Sequence, residues 1–336
     1  MKSFAYQEAF TLASGQQLHQ LDMAKPSPTG RDILVEVKAI SVNPVDTKIR
    51  QWMSAEPGKC KVLGWDAAGV VKAVGEKVEN FQVGDEVWYA GDLTRPGSNA
   101  EFQLVDERIV GRKPSTLGFA EAAAMPLTTI TAWEMLFDRL EVDRESADKT
   151  ILIVGAAGGV GSIMVQLVKH FTNLKIIGTA SRSETVTWLK DLGVDYLVNH
   201  RQPLAEQVRS HGIQEVDYAV SLTHTEDHYP SIVELVKAQG KFGLIDDPKE
   251  LDVVALKQKC ISLHWEFMFT RSMFKTDDII AQHQLLNQVA GLVDEGKIKS
   301  TLGEHFGTIN VENLMRAHAL LESNKAKGKI VLEGFE

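Results

Sequence analysis

Cysteine is scarce in this chain of 336 residues, and the scarcity argues against two classes of protein at once. Cys60 and Cys260 are the only cysteines, and they lie far apart in the sequence. Two isolated cysteines do not make the disulfide framework of a small secreted protein, and they cannot complete a Cys₄ or Cys₂His₂ zinc site. We therefore expect two reduced intracellular thiols.

The sequence also lacks an excess of positive charge and a long apolar run. Its formal net charge is −9 and its sequence pI is about 5.6, which disfavours a nucleic acid or an anionic membrane as a partner. No apolar run approaches the roughly 18–20 residues that span a bilayer. The opening MKSFAYQEAF has no apolar signal-peptide core, so we expect a cytoplasmic protein. Its length suffices for two globular domains.

The most informative segment that is present runs from Thr150 to His170. The aliphatic residues Ile151–Val154 meet a glycine-rich turn, and a helical pattern begins at Gly161. The frame Ala156-x-Gly158-x-x-Gly161 is the dinucleotide fingerprint with Ala in place of its first Gly. A helix N-terminus after such a turn presents N–H donors to a pyrophosphate. The predicted cofactor contacts in this turn are Ala156, Gly158, Gly159, Val160 and Gly161.

After Thr150 the sequence alternates between strand and helix patterns. Strands are predicted at 151–155, 175–180, 195–199, 216–221, 240–245 and 261–267. Helices are predicted between most of them, for example at Ser183–Leu192 and Tyr229–Ala238. Because such alternation is typical of a parallel sheet with right-handed crossovers, it predicts an α/β fold with a doubly wound, Rossmann-type sheet.

The segments on either side of this alternation have a different pattern. Asp32–Ala39 alternates like a half-buried strand, and Ala120–Leu136 looks helical with a break at Pro126. An amphipathic helix is predicted at Asp277–Glu295 and a final strand at Gly328–Leu332. We predict that the parallel-sheet domain, 129–269, is an insertion. The tail, 270–336, then completes the β-rich domain of residues 1–128.

The glycines and ligand-like positions of residues 64–78 carry a resemblance to a known superfamily. Four positions match the zinc-enzyme signature Gly-His-Glu-x-x-Gly and its following glycine and aliphatic residue: Gly64, Gly69, Gly75 and Val78. Trp65 and Asp66 stand in the His and Glu places. With the layout above, the sequence resembles the medium-chain dehydrogenase/reductase superfamily over essentially the whole chain. The resemblance implies a GroES-like catalytic domain and an inserted Rossmann NADP(H)-binding domain.

The zinc ligands of that superfamily are replaced here. Residues 41–49 resemble its first metal-binding segment, with Asn43 where a liganding Cys would stand. The third ligand position aligns with Leu127. An amide, the Trp65 indole and an isobutyl group offer no zinc chemistry, so the resemblance predicts no metal site.

Other segments narrow the resemblance to one branch. The region between Glu86 and Arg112 lacks the four-cysteine lobe of the zinc alcohol dehydrogenases. The sequence is therefore most similar to the zinc-free quinone oxidoreductase branch. Segments 199–207 and 264–274 resemble a bacterial subgroup often named zinc-type alcohol dehydrogenase-like.

The residues after the second predicted strand favour NADPH over NADH. In NAD enzymes an acidic residue about twenty positions beyond the fingerprint binds the ribose hydroxyls, whereas Ala180 stands there, followed by Ser181 and Arg182. An Arg can make charge-assisted bonds to a 2′-phosphate, on the order of 1.5–3 kcal/mol. His200, after the third strand, is a second candidate contact. The alternative is that Arg182 is a solvated surface charge.

Further cofactor contacts follow from the resemblance. The segments 243–246 and 267–269 would flank the nicotinamide at the carboxyl edge of the sheet. The turn at 222–224 would lie against a cofactor ribose. The contact residues predicted in this way are Thr128, Leu222, His224, Ile245 and Phe267. His224 and His228 could instead form part of a metal site, although no other convergent ligand accompanies them.

Without a Lewis acid, a hydride from NADPH is best delivered to an acceptor that is already electrophilic. Quinones and α,β-unsaturated carbonyl compounds meet that condition. The resemblance places the segment 43–50 beneath the nicotinamide, where Asn43 could donate to an acceptor carbonyl. Asp46 and Lys48 could shape the site or relay a proton, and Trp65 would form an apolar wall in the vacated metal space. These four residues are the predicted catalytic group.

Two of these roles, those of Asp46 and Trp65, have a structural alternative. Asp46 could simply pair with Lys48 or Arg50, and Trp65 could be an ordinary core residue. The tyrosines that some quinone oxidoreductases carry in this region are absent, so bulk water remains a candidate proton donor. Tyr89 is expected in the core or at a rim.

At the level of the whole protein, the alternatives are a zinc-type alcohol dehydrogenase and an NADPH-binding sensor or structural protein. We expect a homodimer formed through the strand at Cys260–Phe267.

Overall fold

The computed structural model describes all residues from 1 to 336, and they form two compact units. The discontinuous unit comprises Met1–Ile130 and Phe269–Glu336, and the inserted unit comprises Thr131–Met268. The functions expected of the two domains stay predictions.

The elements are numbered along the chain. The strands are β1 Lys2–Tyr6, β2 His19–Asp22, β3 Asp32–Val42, β4 Lys61–Val62, β5 Ala67–Val74, β6 Glu86–Tyr89, β7 Phe102–Asp106, β8 Val110–Arg112, β9 Thr150–Val154, β10 Lys175–Thr179, β11 Tyr196–Val198, β12 Val216–Ser221, β13 Val236–Leu244, β14 Ser262–Trp265, β15 Leu302–His305 and β16 Lys329–Glu333. The α-helices are α1 Pro44–Trp52, α2 Phe119–Ala123, α3 Pro126–Trp133, α4 Gly159–Phe171, α5 Ser183–Leu192, α6 Leu204–Ser210, α7 Thr225–Leu235, α8 Thr270–Phe274, α9 Ala281–Asp294 and α10 Val311–Glu322. None of the helices combines the length and the apolar character needed to cross a membrane.

The inserted unit is built on one parallel sheet of six strands. Its order is β11-β10-β9-β12-β13-β14, and every neighbouring pair is parallel. The central strand β9 is buried along its whole length because its side chains are covered on both faces. The predicted α/β class with a Rossmann-type sheet is confirmed.

One helical prediction needs a correction of its bounds, and the other, with its break at Pro126, agrees with the structure. The helix expected at Tyr229–Ala238 is α7, which begins four residues earlier. Its start is fixed by Asp246, whose carboxylate accepts a 2.9 Å hydrogen bond from the Thr225 N–H. The other pattern, 120–136, divides into α2, α3 and a π-helical turn at Glu134–Arg139, because Pro126 occupies the first position of α3. The first boundary depends on a residue twenty-one positions away in sequence.

The discontinuous unit contains two sheets. A three-stranded sheet has the order β2-β1-β4, and a seven-stranded sheet has the order β15-β16-β3-β5-β6-β8 with β7 also paired to β3. The C-terminal strand β16 runs antiparallel to β3, with Ile330 opposite Val42. This pairing extends β3 three residues beyond the predicted Ala39. It also brings Lys329, the first residue of β16, beside the turn that opens α1.

Candidate functional site

The glycine-rich turn that is predicted to bind phosphate, called the phosphate-binding turn below, joins β9 to α4 in the inserted unit. Gly155 has a φ of 83°, which favours glycine, and the Gly158 N–H donates to the Gly155 carbonyl at 3.1 Å. A Cβ on Gly161 would lie 2.4 Å from the Ala156 carbonyl oxygen, so only glycine allows α4 to approach the turn this closely. A Cβ on Gly158 would touch only the Gly155 oxygen, at 3.4 Å. The turn therefore leaves open backbone for an anion at Gly158.

The sheet order supports a dinucleotide at this turn. β9 lies between β10 and β12, so the chain leaves β9 toward one side of the sheet and later returns on the other. Ligands of doubly wound sheets bind outside the carboxyl ends of the strands at such a switch point. All five fingerprint residues predicted to contact the cofactor, 156 and 158–161, lie in the turn or the first turn of α4. The residues present thus fit a pyrophosphate group.

Basic side chains gather at the ends of the neighbouring strands. Arg182 precedes α5, and its Nε lies 3.2 Å from the Glu184 carboxylate. Burial lowers the pKa of His200, and the positive charges around it lower it further: His228, Arg201, His224 and Arg182. The rings of His200 and His228 are 6.2 Å apart. Ala180, at the position of the ribose-binding acid, is buried and offers no carboxylate to oppose a phosphate.

The remaining residues predicted to contact the cofactor in this unit follow successive strands. The Leu222 N–H donates to Val154 O at 3.1 Å beyond β12, and the Ile245 N–H donates to Ser221 O at 3.3 Å beyond β13. His224 has a φ of 52° and its Nδ1 lies 2.7 Å from the hydroxyl of Thr223. Phe267, beyond β14, is half-exposed. Thr128 belongs to the discontinuous unit, where it is buried and donates to Met125 O at 3.1 Å.

The discontinuous unit contains a buried polar cluster centred on Asn43 and Asp66. The Asn43 amide nitrogen donates to Asp66 Oδ2 at 3.0 Å and to Trp65 O at 3.2 Å. The Leu127 N–H donates to Asp66 Oδ1 at 2.9 Å. Both amide hydrogens of Asn43 are therefore used inside the protein. This arrangement leaves neither amide hydrogen for a substrate carbonyl, so it does not favour the expected donor role of Asn43, which stays a prediction.

Lys329 completes the cluster and was missed by sequence reasoning. Its ammonium lies 3.1 Å from Asp66 Oδ2, donates to Val42 O at 3.2 Å and also donates to Asn43 Oδ1. The side chain is buried, although it is a lysine. The one feature of the sequence that could have indicated its burial is its position directly before the apolar residues Ile330–Leu332. Its partners could not be read from the sequence because they lie almost three hundred positions away.

Asp46 caps the start of α1 in the same cluster. Its Oδ2 accepts a 2.7 Å hydrogen bond from the Asn43 N–H, while Oδ1 has no hydrogen-bond partner. Burial raises the pKa of Asp46 to about 7, and the hydrogen bond from Asn43 and the charge of Lys329 oppose that rise. The suggested pairing with Arg50 is wrong, because the Arg50 guanidinium is committed to Glu322 and to Phe10 O.

Trp65 fills space beside this cluster. It is 2% exposed, its Nε1 donates to Asp92 O at 3.2 Å, and its ring meets Phe269 edge to face at 6.4 Å. Tyr89 lies in the core, which is one of the two locations predicted for it. Its hydroxyl has no hydrogen-bond partner. Lys48 is half-buried on α1. Of the four predicted catalytic residues, Asn43, Asp46 and Trp65 are brought together and buried.

Comparison with known proteins identifies the family. Residues 29–133 match the model of the alcohol dehydrogenase GroES-like domain, and residues 192–332 match that of a zinc-binding dehydrogenase. A zinc-type alcohol dehydrogenase-like protein of Staphylococcus aureus is 40% identical over 336 residues, 99% of each chain. The chain belongs to the medium-chain dehydrogenase/reductase family. The predicted superfamily, and the similarity to zinc-type alcohol dehydrogenase-like proteins, are confirmed.

Two further relatives of this dehydrogenase/reductase are informative. The crystal structure of a Rhizobium etli protein, described as a candidate zinc-dependent alcohol dehydrogenase, has 51% identity and a TM-score of 0.96, covering 100% of this chain and 98% of its own. An NADPH-dependent alkenal/one oxidoreductase of Arabidopsis thaliana is 30% identical over 309 residues, 89% of this chain and 71% of its own. The two relatives belong to one family, but their names describe different reactions.

The zinc implied by some of these descriptions does not fit the donors of this medium-chain dehydrogenase/reductase. The amide of Asn43 and the carboxylate of Asp66 are hydrogen-bonded to each other and to an ammonium group. An indole and an aliphatic side chain stand at the other two positions, Trp65 and Leu127. Nowhere in the chain do three His, Cys, Asp or Glu side chains converge as a metal site, and this includes His224 and His228.

Proposed function

We propose that this chain is a zinc-independent, NADPH-dependent reductase of quinones or α,β-unsaturated carbonyl compounds. One observation carries the proposal: the positions that hold zinc ligands in the resembling enzymes hold Asn43, Trp65 and Leu127, and the nearby carboxylate is bound to an ammonium. An oxidoreductase of this family whose donors cannot hold a Lewis acid is best suited to acceptors that need none.

NADPH is proposed as the cofactor because of the charge around the inserted unit's turn. Bound there, it would supply the hydride. The turn at 155–161 would receive the pyrophosphate on backbone N–H groups. Arg182, supported by Ser181 and His200, would contact the 2′-phosphate. Arg182 would have to exchange its 3.2 Å partner, the Glu184 carboxylate, for that phosphate.

The residues of the buried cluster support catalysis by positioning. Asn43 and Asp66 have no free donor, so they would fix the start of α1 rather than touch the acceptor. Lys48, half-buried on that helix, and Asp46, whose pKa burial raises to about 7, are the predicted residues that could relay a proton, and bulk water is the other source. Trp65 would form an apolar wall of the site. The name of the Arabidopsis relative, an alkenal/one oxidoreductase using NADPH, supports the same substrate class.

The test is NADPH consumption with 1,4-benzoquinone, 2-cyclohexenone and a simple aldehyde, and NADP⁺ reduction with a primary alcohol, each with a no-enzyme control. We expect turnover with the quinone or the enone and much less with NADH. Zinc-dependent turnover confined to the alcohol and aldehyde would instead favour the alcohol dehydrogenase. Tight NADPH binding without oxidation of any acceptor would favour a sensor or structural protein.

We also propose a homodimer formed at β14. This strand is the edge of the parallel sheet and pairs only with β13, which leaves one side of its backbone without a neighbouring strand. Trp265, at its end, is 52% exposed. Sedimentation should give a dimer for the wild type and a monomer for Trp265→Asp, while a monomeric wild type would contradict the proposal.

A further inference from the structure

Lys329 is the one buried lysine ammonium in the polar cluster of the discontinuous unit, and its environment is specific. The side chain is 4% exposed and stands at the start of β16, beside the equally buried Ile330. Removing an ammonium from water is costly unless hydrogen bonds and an opposite charge replace the solvent. The position therefore demands partners.

The protein supplies three oxygen partners for the three ammonium hydrogens. They are Asp66 Oδ2 at 3.1 Å, Val42 O at 3.2 Å and the Asn43 amide oxygen. One of them belongs to a carboxylate group, and all three belong to buried residues. The donors and acceptors are thus matched in number and in charge.

The same contacts join three separate segments of chain. Asn43 belongs to the turn before α1, Asp66 to the turn before β5, and Leu127, which donates to Asp66, to the first turn of α3. These are the segments that the sequence resemblance identifies as metal-binding. In a zinc enzyme a cation would join them. Here Lys329 Nζ contacts the segments of Asn43 and Asp66 directly. It is linked to the segment of Leu127 through Asp66.

We propose that the Lys329 ammonium is the resident cation of this site and takes the structural place of the metal. The Asp66 carboxylate neutralises it, and Asn43 Oδ1 and Val42 O complete its shell. Lys329 is accordingly a positioning residue: it fixes the turn that starts α1 and the turn that starts α3. The inference extends the zinc-independent part of the proposed function, and its test uses no reductase assay, so the two can fail separately.

The decisive experiment is chemical rescue of Lys329→Ala in the full chain. Truncation leaves a cavity that lacks three methylenes and an ammonium, which n-propylammonium can fill. We expect the thermal midpoint of Lys329→Ala to lie about 10 °C below that of the wild type. Propylammonium should recover a large part of that loss, propan-1-ol at equal concentration should not, and neither should shift the wild type.

A second set of variants keeps the inference testable if Lys329→Ala does not fold. Lys329→Met preserves the length of the side chain but leaves Asp66 without its counter-charge, so it should be strongly destabilised. The double variant Asp66→Asn with Lys329→Met removes both charges. The decrease in its thermal midpoint should therefore be much smaller than the sum of the decreases in the two single variants. Additive losses, a wild-type midpoint for Lys329→Met, or equal shifts with propylammonium and propan-1-ol would overturn the inference.

Discussion

The two candidate binding regions of this protein are built in opposite ways. The phosphate-binding turn uses consecutive residues, 155–161, and acts through backbone N–H groups and the absence of side chains. The buried cluster of the discontinuous unit uses the side chains of Asn43, Asp66 and Lys329, which come from distant parts of the chain. A local site depends on small residues and is sensitive to added volume. A dispersed site depends on matched charge and is sensitive to the loss of one partner.

Buried carboxyl groups also have different partners in the two units. In the discontinuous unit Asp66 faces an ammonium at 3.1 Å. In the inserted unit two buried carboxyl groups, Glu134 and Glu266, interact with each other, and Arg139 Nε lies 2.9 Å from Glu266. Burial and the neighbouring Glu134 raise the pKa of Glu266 well above its usual range. The first arrangement places a carboxyl group beside an ammonium group, whereas the second places two carboxyl groups together and favours the protonated form of Glu266.

The largest expected effect is that of Asp66→Asn. The substitution keeps the shape of the side chain but leaves the Lys329 ammonium buried without a counter-charge. We expect the free energy of unfolding to fall by about 3–5 kcal/mol, measured by urea unfolding of the full chain. Lys59→Ala is the matched control, because its pair with Glu56 is exposed and its loss should not change the midpoint. A wild-type midpoint for Asp66→Asn would show that the cluster is not held by charge.

A pair of glycine variants separates folding from binding in the phosphate-binding turn. Gly161→Ala forces a Cβ against backbone atoms of Ala156, 2.4 Å away, and should cost about 3 kcal/mol of stability. Gly158→Ala meets nothing closer than 3.4 Å, so it should fold normally. Its Cβ would nevertheless crowd the pyrophosphate, and the Kd for NADPH should rise about tenfold or more. Urea unfolding and a fluorescence titration with NADPH check the two effects; similar behaviour of both variants would refute this account of the turn.

Cofactor selectivity should depend on Arg182. Arg182→Ala should raise the Kd for NADPH about 10–100-fold and change that for NADH little, because only NADPH carries the 2′-phosphate. Glu184→Gln removes the competing carboxylate at 3.2 Å and should tighten NADPH binding by a smaller factor. Equal effects of Arg182→Ala on both cofactors would return Arg182 to the role of a surface charge.

The last prediction concerns pH and the inserted unit. Since the folded-state pKa of Glu266 is raised above its usual 4.5, the stability it contributes is complete below that pH and is lost as the pH rises toward its folded value. Glu266→Gln should reduce this decline, by at most about 1.4 kcal/mol per pH unit. Unfolding midpoints from pH 5 to pH 8, in steps of about one unit, measure it. Glu141→Gln, at an exposed position, should retain the wild-type slope.

The contrast between the two regions also explains what could be predicted. The turn at 155–161 and the strands around it follow from local spacing, so the parallel sheet was predictable. The cluster was predictable only in part. Asn43 and Trp65 were identified through the family frame, whereas Lys329 reaches them only because β16 pairs with β3 in the register that sets Ile330 opposite Val42. The start of α7 depends in the same way on Asp246. Contacts fixed by long-range pairing leave little trace in local sequence.

The most direct test of the central claim is the zinc content of the full-length protein, purified from cells grown with added zinc and measured by elemental analysis beside its NADPH-dependent turnover. The account predicts far less than one zinc per chain and undiminished reduction of a quinone or enone after treatment with a chelator. One zinc per chain, with turnover lost to the chelator and restored by zinc, would contradict it.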